Sequence, residues 1–393
     1  MSQDPIVIVG MSRTPMGGLL GDLAAVPAPE LGAIAIKGAL NSAGLDNNSI
    51  DEVIMGCCLF AGLGQAPARQ AMRSAGVTDK TGATTISKMC GSGMKAIMQG
   101  HDAIVASSSD IVIAGGMESM TNAPHLLPTG RSGIKYGHGQ IIDHMAKDGL
   151  EDAYDGGPMG VFAELCAEKF QFSRQAQDEY AIESTKRAQR AIADGDFAGE
   201  ITPVTIKSRR GDIVVDTDEQ PGKARLDKIP SLRPAFKKDG TVTAANASSI
   251  SDGASAVILM RKSEADKRGL TPLATIRSHA TNAQEPAWFT TAPVKAIERA
   301  LDKAGWNKDD VDLFEINEAF AVVPMAAMQE LGLDHSKVNV NGGACALGHP
   351  IGSSGSRIVV TLINALKTRG LKKGIASLCI GGGEATAIAL EMS

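Results

Sequence analysis

Aromatic residues are scarce in this chain: two tryptophans, three tyrosines and nine phenylalanines make up 4% of 393 residues. A core short of rings has to be filled by aliphatic side chains and by backbone packed closely on backbone, for which 44 glycines are available. No run of eighteen apolar residues occurs, so no membrane-spanning helix is expected. Neither sign of charge dominates. The formal net charge of −5 gives no whole-molecule field for nucleic acid or a membrane surface. The six cysteines, at 57, 58, 90, 166, 345 and 379, form no CxxC pair and no zinc-ligand spacing. A chain long enough for two or three cored domains does not need a disulfide framework, which favours a reducing compartment. Met1-Ser-Gln-Asp-Pro5 leads straight into apolar Ile6–Val9 with no basic or apolar targeting segment, and a cytoplasmic location is expected.

What is present is an alternation of strand and helix patterns. Ile6–Val9 reads as a strand buried on both faces. Leu31, Ile34, Ala35 and Leu40 fall at helical spacing, with Gly44 placed to end the helix. Strands follow at 53–55, 83–86 and 111–114, and helices at 65–74 and after Cys90. The series then recurs. Ile36 to Gly44 matches Ile297 to Gly305, and the match continues without a gap from Ile50-Asp51 onto Val311-Asp312. Ser92-Gly-Met-Lys95 parallels Ser354-Gly-Ser-Arg357, and Gly115-Gly-Met-Glu118 parallels Gly381-Gly-Gly-Glu384. Three matches in the same order imply two similar halves. In the second half the glycine turn runs directly into the strand Ala385–Met392, whereas the comparable strand Gly253–Met260 of the first half arrives late. Residues 120–250 therefore read as an insertion, carrying a long helix capped by Ser173 and ending near Asp194-Gly195. Its basic residues are interleaved with acidic ones, which suits a solvated surface as well as an anion site. Alternating elements in both halves predict α/β layers with a largely parallel sheet in each.

Four stretches carry chemistry. Cys90 lies in Ser87-Lys-Met-Cys-Gly-Ser-Gly-Met94, between a strand and a helix. There the free N–H groups and the helix dipole favour a thiolate, and Gly91 and Gly93 leave room for a substrate. The same features fit a small buried cysteine beside a glycine turn. His349 sits in Asn341-Gly-Gly-Ala-Cys-Ala-Leu-Gly-His-Pro350, a glycine-rich loop ahead of a helix. Cys379 ends the strand Ile375–Leu378 before Gly381-Gly-Gly383. Asn317 opens Asn317-Glu-Ala-Phe320, either presenting an amide at a strand end or capping a helix over 319–331.

Together these stretches resemble the thiolase family over nearly the full length. The resemblance implies duplicated βαβαβαββ halves layered α/β/α/β/α. It divides the chain into a first half of residues 1–119 plus 251–271, an inserted loop domain of 120–250 covering coenzyme A, and a second half of 272–393. It also implies a homotetramer built from tight dimers, with acetyl-CoA and acetoacetyl-CoA as substrates. No metal is implied, and no cofactor beyond the coenzyme A thioester. The glycine runs do not place GxGxxG after a first strand.

The implied reaction joins two acetyl thioesters, or cleaves the product in reverse. It needs an acyl carrier, a base for a carbon acid and donors for two oxyanions. By resemblance Cys90 is the carrier, His349 its base, and Cys379 the base for the second acetyl-CoA. His349 and a water held by Asn317 form one oxyanion hole, and the backbone N–H groups of Cys90 and Gly381 form the other. Pro158-Met159-Gly160 looks like the short-chain branch, with Met159 walling off the acyl pocket. Ala244 and Ser248 match pantetheine contacts, Phe236, Ala319 and Phe320 pack nearby, and Arg225 is placed at the nucleotide end. Ser87, Pro158 and Ser249 depart from the residues usual in the family, Asn, His and Gly. A broad-range 3-ketoacyl-CoA thiolase and an inert acyl-CoA-binding homologue are the alternatives.

Overall fold

A computed structural model describes residues 4–209 and 211–393. The first half places strands β1 (Ile6–Arg13), β2 (Glu52–Gly56), β3 (Gly82–Ile86), β4 (Ile111–Ser119) and β5 (Ser251–Arg261) in the spatial order β3-β2-β4-β5-β1. The second half places β6 (Ala274–Ala283), β7 (Leu313–Ile316), β8 (Lys373–Ile380) and β9 (Glu384–Met392) in the order β7-β8-β9-β6. In each half the strands toward the outer edge pair in parallel and those toward the junction of the halves pair antiparallel. The sheets are therefore mixed rather than largely parallel. A glycine turn such as Gly381–Gly383 can join only antiparallel neighbours, because a parallel return needs a crossover. The two sheets meet through β1 and β6, where Val7 faces Thr275 and Ile8 faces Ala274. In the second half, the place taken by β3 in the first shrinks to one parallel bridge between Phe314 and Val338.

The duplication extends to hydrogen bonds. Asp51 accepts from the N–H groups of Asp110 and Ile111, both at 2.9 Å. Asp312 does the same for Lys372 and Lys373, at 2.9 and 2.8 Å. Helices α1 (Ala28–Ala43) and α2 (Pro67–Ser74) cover the outer face of the first sheet. In the insertion lie α4 (Gly160–Phe170) and α5 (Arg174–Asp194), the latter capped as expected by Ser173 Oγ on Ala176 N–H at 3.1 Å. Helices α6 (Ala292–Ala304) and α7 (Val322–Leu331) cover the outer face of the second sheet. Between the sheets lie α3 (Ser92–Val105) and α8 (Ile351–Arg369). The first sixteen residues of α8 are all buried, as befits a helix enclosed on every side. Strand β1 shows why two sheets can share this filling. Ile6 and Ile8 point into the central layer, whereas Val7 and Val9 point to the outer one. The architecture is thus the layered, duplicated α/β fold that the resemblance implied.

The central helices touch backbone to backbone. A Cβ on Gly93 would lie 2.6 Å from Ser356 Oγ and 2.8 Å from its backbone nitrogen, and one on Gly355 would lie 2.4 Å from Met94 N. The glycines after Cys90 therefore serve helix packing, and Gly91 likewise faces Ile380 rather than a substrate. Gly93→Ala is expected to cost about 1–3 kcal/mol or more, because backbone cannot step aside. Gly157, whose Cβ would meet nothing within 4 Å, should tolerate alanine within about 0.5 kcal/mol. Urea unfolding of both variants checks the contrast.

Candidate active site

Cys90 sits in the turn between β3 and α3, two residues before the helix begins. Met89 holds the left-handed conformation at φ 45°, a strain of about 1–3 kcal/mol kept in place by its surroundings. Ser92 supplies the brace: its Oγ accepts from Lys88 N–H at 2.8 Å and donates to the Met89 carbonyl at 2.7 Å. The Cys90 sulfur receives backbone N–H groups from Gly381 and from Cys90 itself. Burial nevertheless wins, and the thiol is pushed up to about 11. This corrects the expectation of a stabilised thiolate. A helix dipole supplies at most about 2 kcal/mol, whereas desolvation shifts a buried group by up to about 3–5 pKa units.

Cys379 lies near the end of β8, fully buried, with its thiol raised well above the ordinary value by burial and then by the neighbouring Cys90. One short turn thus supplies both this second sulfur and the Gly381 N–H that faces the first. His349 is 6% exposed, and burial followed by the Arg357 charge lowers it to about 3, so the ring is neutral. Its Nδ1 lies 2.6 Å from Ser354 Oγ, which also lies 3.0 Å from the Pro350 carbonyl. With the hydroxyl proton on that carbonyl, Nδ1 must be the donor, and Nε2 carries a bare lone pair. Nε2 has no partner among the described residues. Asn317 is buried, with Nδ2 3.4 Å from His349 Nδ1 and Oδ1 3.5 Å from Arg357. It does not cap α7, which begins only at Val322.

The halves are fastened to each other at this point by reciprocal carboxylates. Glu118, at the end of β4, accepts from Gly352 N–H in the first turn of α8 at 2.9 Å and from Cys58 and Leu59 at 2.9 and 3.1 Å. Glu384, its counterpart in the repeat, is ion-paired with Lys88 beside Cys90. Glu318 holds the insertion. It accepts from Tyr180 and Ser184 of α5 at 2.9 and 2.7 Å, and from Asn339 Nδ2 and Cys345 N–H at 2.8 and 3.0 Å.

The remaining expected residues divide. Met159 Cε comes 3.7 Å from where a Cβ on Gly381 would be, which puts this side chain over the two-cysteine turn. Phe236 and Phe320 meet edge to face at 6.0 Å. Ser248 donates both its N–H and its hydroxyl to the Ala319 carbonyl at 3.0 Å, leaving only lone pairs for a ligand. Ala244 is exposed beside them. Arg225 stands apart: its side chain is 71% exposed and lies 3.5 Å from Asp227. Of the unusual residues, Ser87 hydrogen-bonds the Cys58 thiol, and the Ser249 carbonyl accepts from His349 N–H at 3.2 Å. Sequence reading passed over Glu118, Glu318, Ser92 and Ser354 as site residues. The repeat contained the signal, since Glu118 and Ser354 both belong to matched motifs.

Two thiols and a neutral imidazole, drawn from both halves of a duplicated α/β fold, define an enzyme of the covalent, acyl-transferring kind. Models of the thiolase N-terminal and C-terminal domains match residues 6–263 and 270–392, and the chain belongs to the thiolase family. An acetyl-CoA acetyltransferase of Cupriavidus necator is 51% identical over 98% of this chain and 99% of its own length. Acetyl-CoA acetyltransferase 2 of Arabidopsis thaliana is 50% identical, over 98% and 97%. The crystal structure of the Bacillus anthracis acetyl-CoA acetyltransferase superposes with a TM-score of 0.97 at 41% identity, covering 99% of each chain. A thiolase from Ascaris suum in complex with coenzyme A gives 0.94 at 41% identity, over 99% and 100%.

The raised thiol has a measurable sign. A group neutral when protonated and held at about 11 gains thiolate as pH rises. Alkylation of Cys90 by iodoacetamide should therefore still be accelerating above pH 9, where an ordinary cysteine with a pKa near ~8.5 has levelled off. A plateau at or below pH 8.5 would contradict this burial.

Proposed function

We propose that the chain catalyses the reversible condensation of two acetyl-CoA molecules to acetoacetyl-CoA and free CoA through an acetyl-Cys90 intermediate. One observation carries the reading: the Gly381 turn aims an N–H at the Cys90 sulfur while the same strand end sets Cys379 beside it. The relatives' names agree with it.

Cys90 Sγ attacks the thioester carbonyl as its proton passes to His349 Nε2. A neutral imidazole lowered to about 3 cannot hold that proton in the ground state, so transfer accompanies carbon–sulfur bond formation, and the departing CoA sulfur takes the proton. Cys379 then passes its own proton to His349 Nε2 and, as the thiolate, removes a methyl proton from the second acetyl-CoA. The enolate, its oxygen held by the Nε2–H so formed on His349 and by a water on Asn317, attacks the Cys90 thioester. The tetrahedral oxygen lies against the N–H groups of Cys90 and Gly381, where one such donor is worth about 2.7–4 kcal/mol. Collapse releases acetoacetyl-CoA and the Cys90 thiolate, which takes the proton from His349 Nε2, while Cys379 keeps the methyl proton.

Met159 over Gly381 limits the acyl chain by filling volume. Phe236, Ala244, Ser248, Ala319 and Phe320 receive the pantetheine, and Arg225 the nucleotide. A homotetramer suits two exposed surfaces. Strand β3 is a half-exposed sheet edge, and the stretch from Leu127 to Ile141 exposes Leu127, Ile134, Tyr136 and Ile141. The proposed setting is cytoplasmic, with no cofactor beyond the coenzyme A thioester.

Incubation with labelled acetyl-CoA should place one acetyl group on Cys90. Cys379→Ser should retain that adduct while condensation falls by roughly 100- to 10,000-fold. No adduct on Cys90 overturns the mechanism. Thiolysis of acetoacetyl-CoA should greatly exceed that of a long-chain 3-ketoacyl-CoA. Comparable rates overturn the short-chain assignment, and Met159→Ala should narrow the gap.

A further inference from the structure

On the far side of α3 from its packed face, His101 and Asp102 meet His279 of β6. His101 Nδ1 lies 3.2 Å from His279 Nε2 and 3.1 Å from Asp102 Oδ1, and His279 Nε2 lies 2.9 Å from the same oxygen. The two rings stand edge to face, at 85°. The histidines are mostly buried, with side chains 20% and 16% exposed, whereas Asp102 opens to solvent at 58%.

Hydrogen bonding satisfies this triangle poorly. The carboxylate brings no proton, and each ring nitrogen carries at most one. Whichever proton lies between the nitrogens is also wanted by Asp102 Oδ1. If both facing nitrogens carry protons, the two N–H groups converge on the single oxygen Asp102 Oδ1 and oppose each other across the 3.2 Å between the nitrogens. If one nitrogen is bare, its lone pair faces the carboxylate. A metal ion removes the conflict, because all three atoms present lone pairs to it. The dimensions fit one. A cation about 2.0–2.1 Å from each atom would sit roughly 1 Å out of their plane, leaving a fourth tetrahedral position for water. The nearby cation, Lys303, is tied to the His279 carbonyl at 3.0 Å rather than to the ring.

We propose that His101, Asp102 and His279 form a binding site for a divalent transition metal of the zinc type, fastening α3 of the first half to β6 of the second. Its donors are two imidazoles and one carboxylate, a set that suits zinc, cobalt and nickel and not magnesium. The site is remote from the cysteine chemistry and plays no part in it. Spacing along the chain did not reveal it, because its ligands are separated by 177 residues.

The test uses the full-length chain after chelator treatment, with Co2+ as the probe. Titration should give one ion per chain, with visible d–d bands and no thiolate-to-cobalt charge-transfer band. Bound metal should raise the melting temperature. His279→Gln and His101→Gln should each weaken binding by at least about tenfold, abolish the thermal shift and leave thiolase turnover unchanged. A thiolate band, binding unaltered in both variants, or no binding at all overturns the proposal. Because the readout is metal affinity and the residues lie outside the cysteine site, failure here leaves the proposed acyl transfer untouched.

Discussion

The structure depends on how closely two helix ends approach one another. Helices α3 and α8 enter the middle of the molecule from opposite halves, and each brings a glycine where the other brings backbone. With side chains there, the helices would be forced apart by the length of a carbon–carbon bond or more, and the fully packed interior has no slack to absorb that. Cys90 immediately precedes one of these helices and His349 the other. The steric rule at Gly93 and Gly355 therefore also sets the distance across which the chemistry works. Reciprocal carboxylates, Glu118 on α8 and Glu384 on Lys88, fix the rotation that the glycines leave free.

The energetics of the site run against the usual picture of a reactive cysteine. Nothing charged is stored at rest: both thiols are raised and the imidazole is lowered, all chiefly by burial. The donors are fixed backbone groups, already oriented and unable to relax. Charge is thus met by dipoles only as it forms, which favours the transition state over the resting state. A permanently ionised thiolate would bind those same N–H groups and would have to give them up in order to react.

Much of this was legible in the sequence, and for identifiable reasons. The glycine turn and the matched stretches gave the two halves, since a duplicated backbone needs the same residues wherever φ is positive or contact is close. Gly44 and Gly305 end equivalent helices at φ 64° and 67°. The long helix of the insertion followed from Ser173 and Gly195. What sequence could not show was desolvation, because burial belongs to the assembled interface and Cys90 looks electropositive from its neighbours alone. Likewise, nothing local marks Glu318 as a clasp, since its partners Tyr180, Ser184, Asn339 and Cys345 lie far away in the chain. Arg225 is a different case: its loop lies on the surface, where side chains are held by solvent rather than by packing, so neither pattern nor packing fixes its direction.

The position of β1 has a consequence in time. Strand β1, made long before its partner, lies in the middle of the sheet, between β5 and β6, with Ile6 opposite Arg261. Closing a loop of that length costs about 5 kcal/mol of chain entropy. At about 5–20 residues per second the partner strand is synthesised roughly ten to fifty seconds later. Until then β1 has an edge on each side and nothing to pair with. The first half closes only once β5 is made, and β6 follows about a dozen residues later, so β1 gains its two neighbours in quick succession after a long wait, while the rest of the second half is still to come.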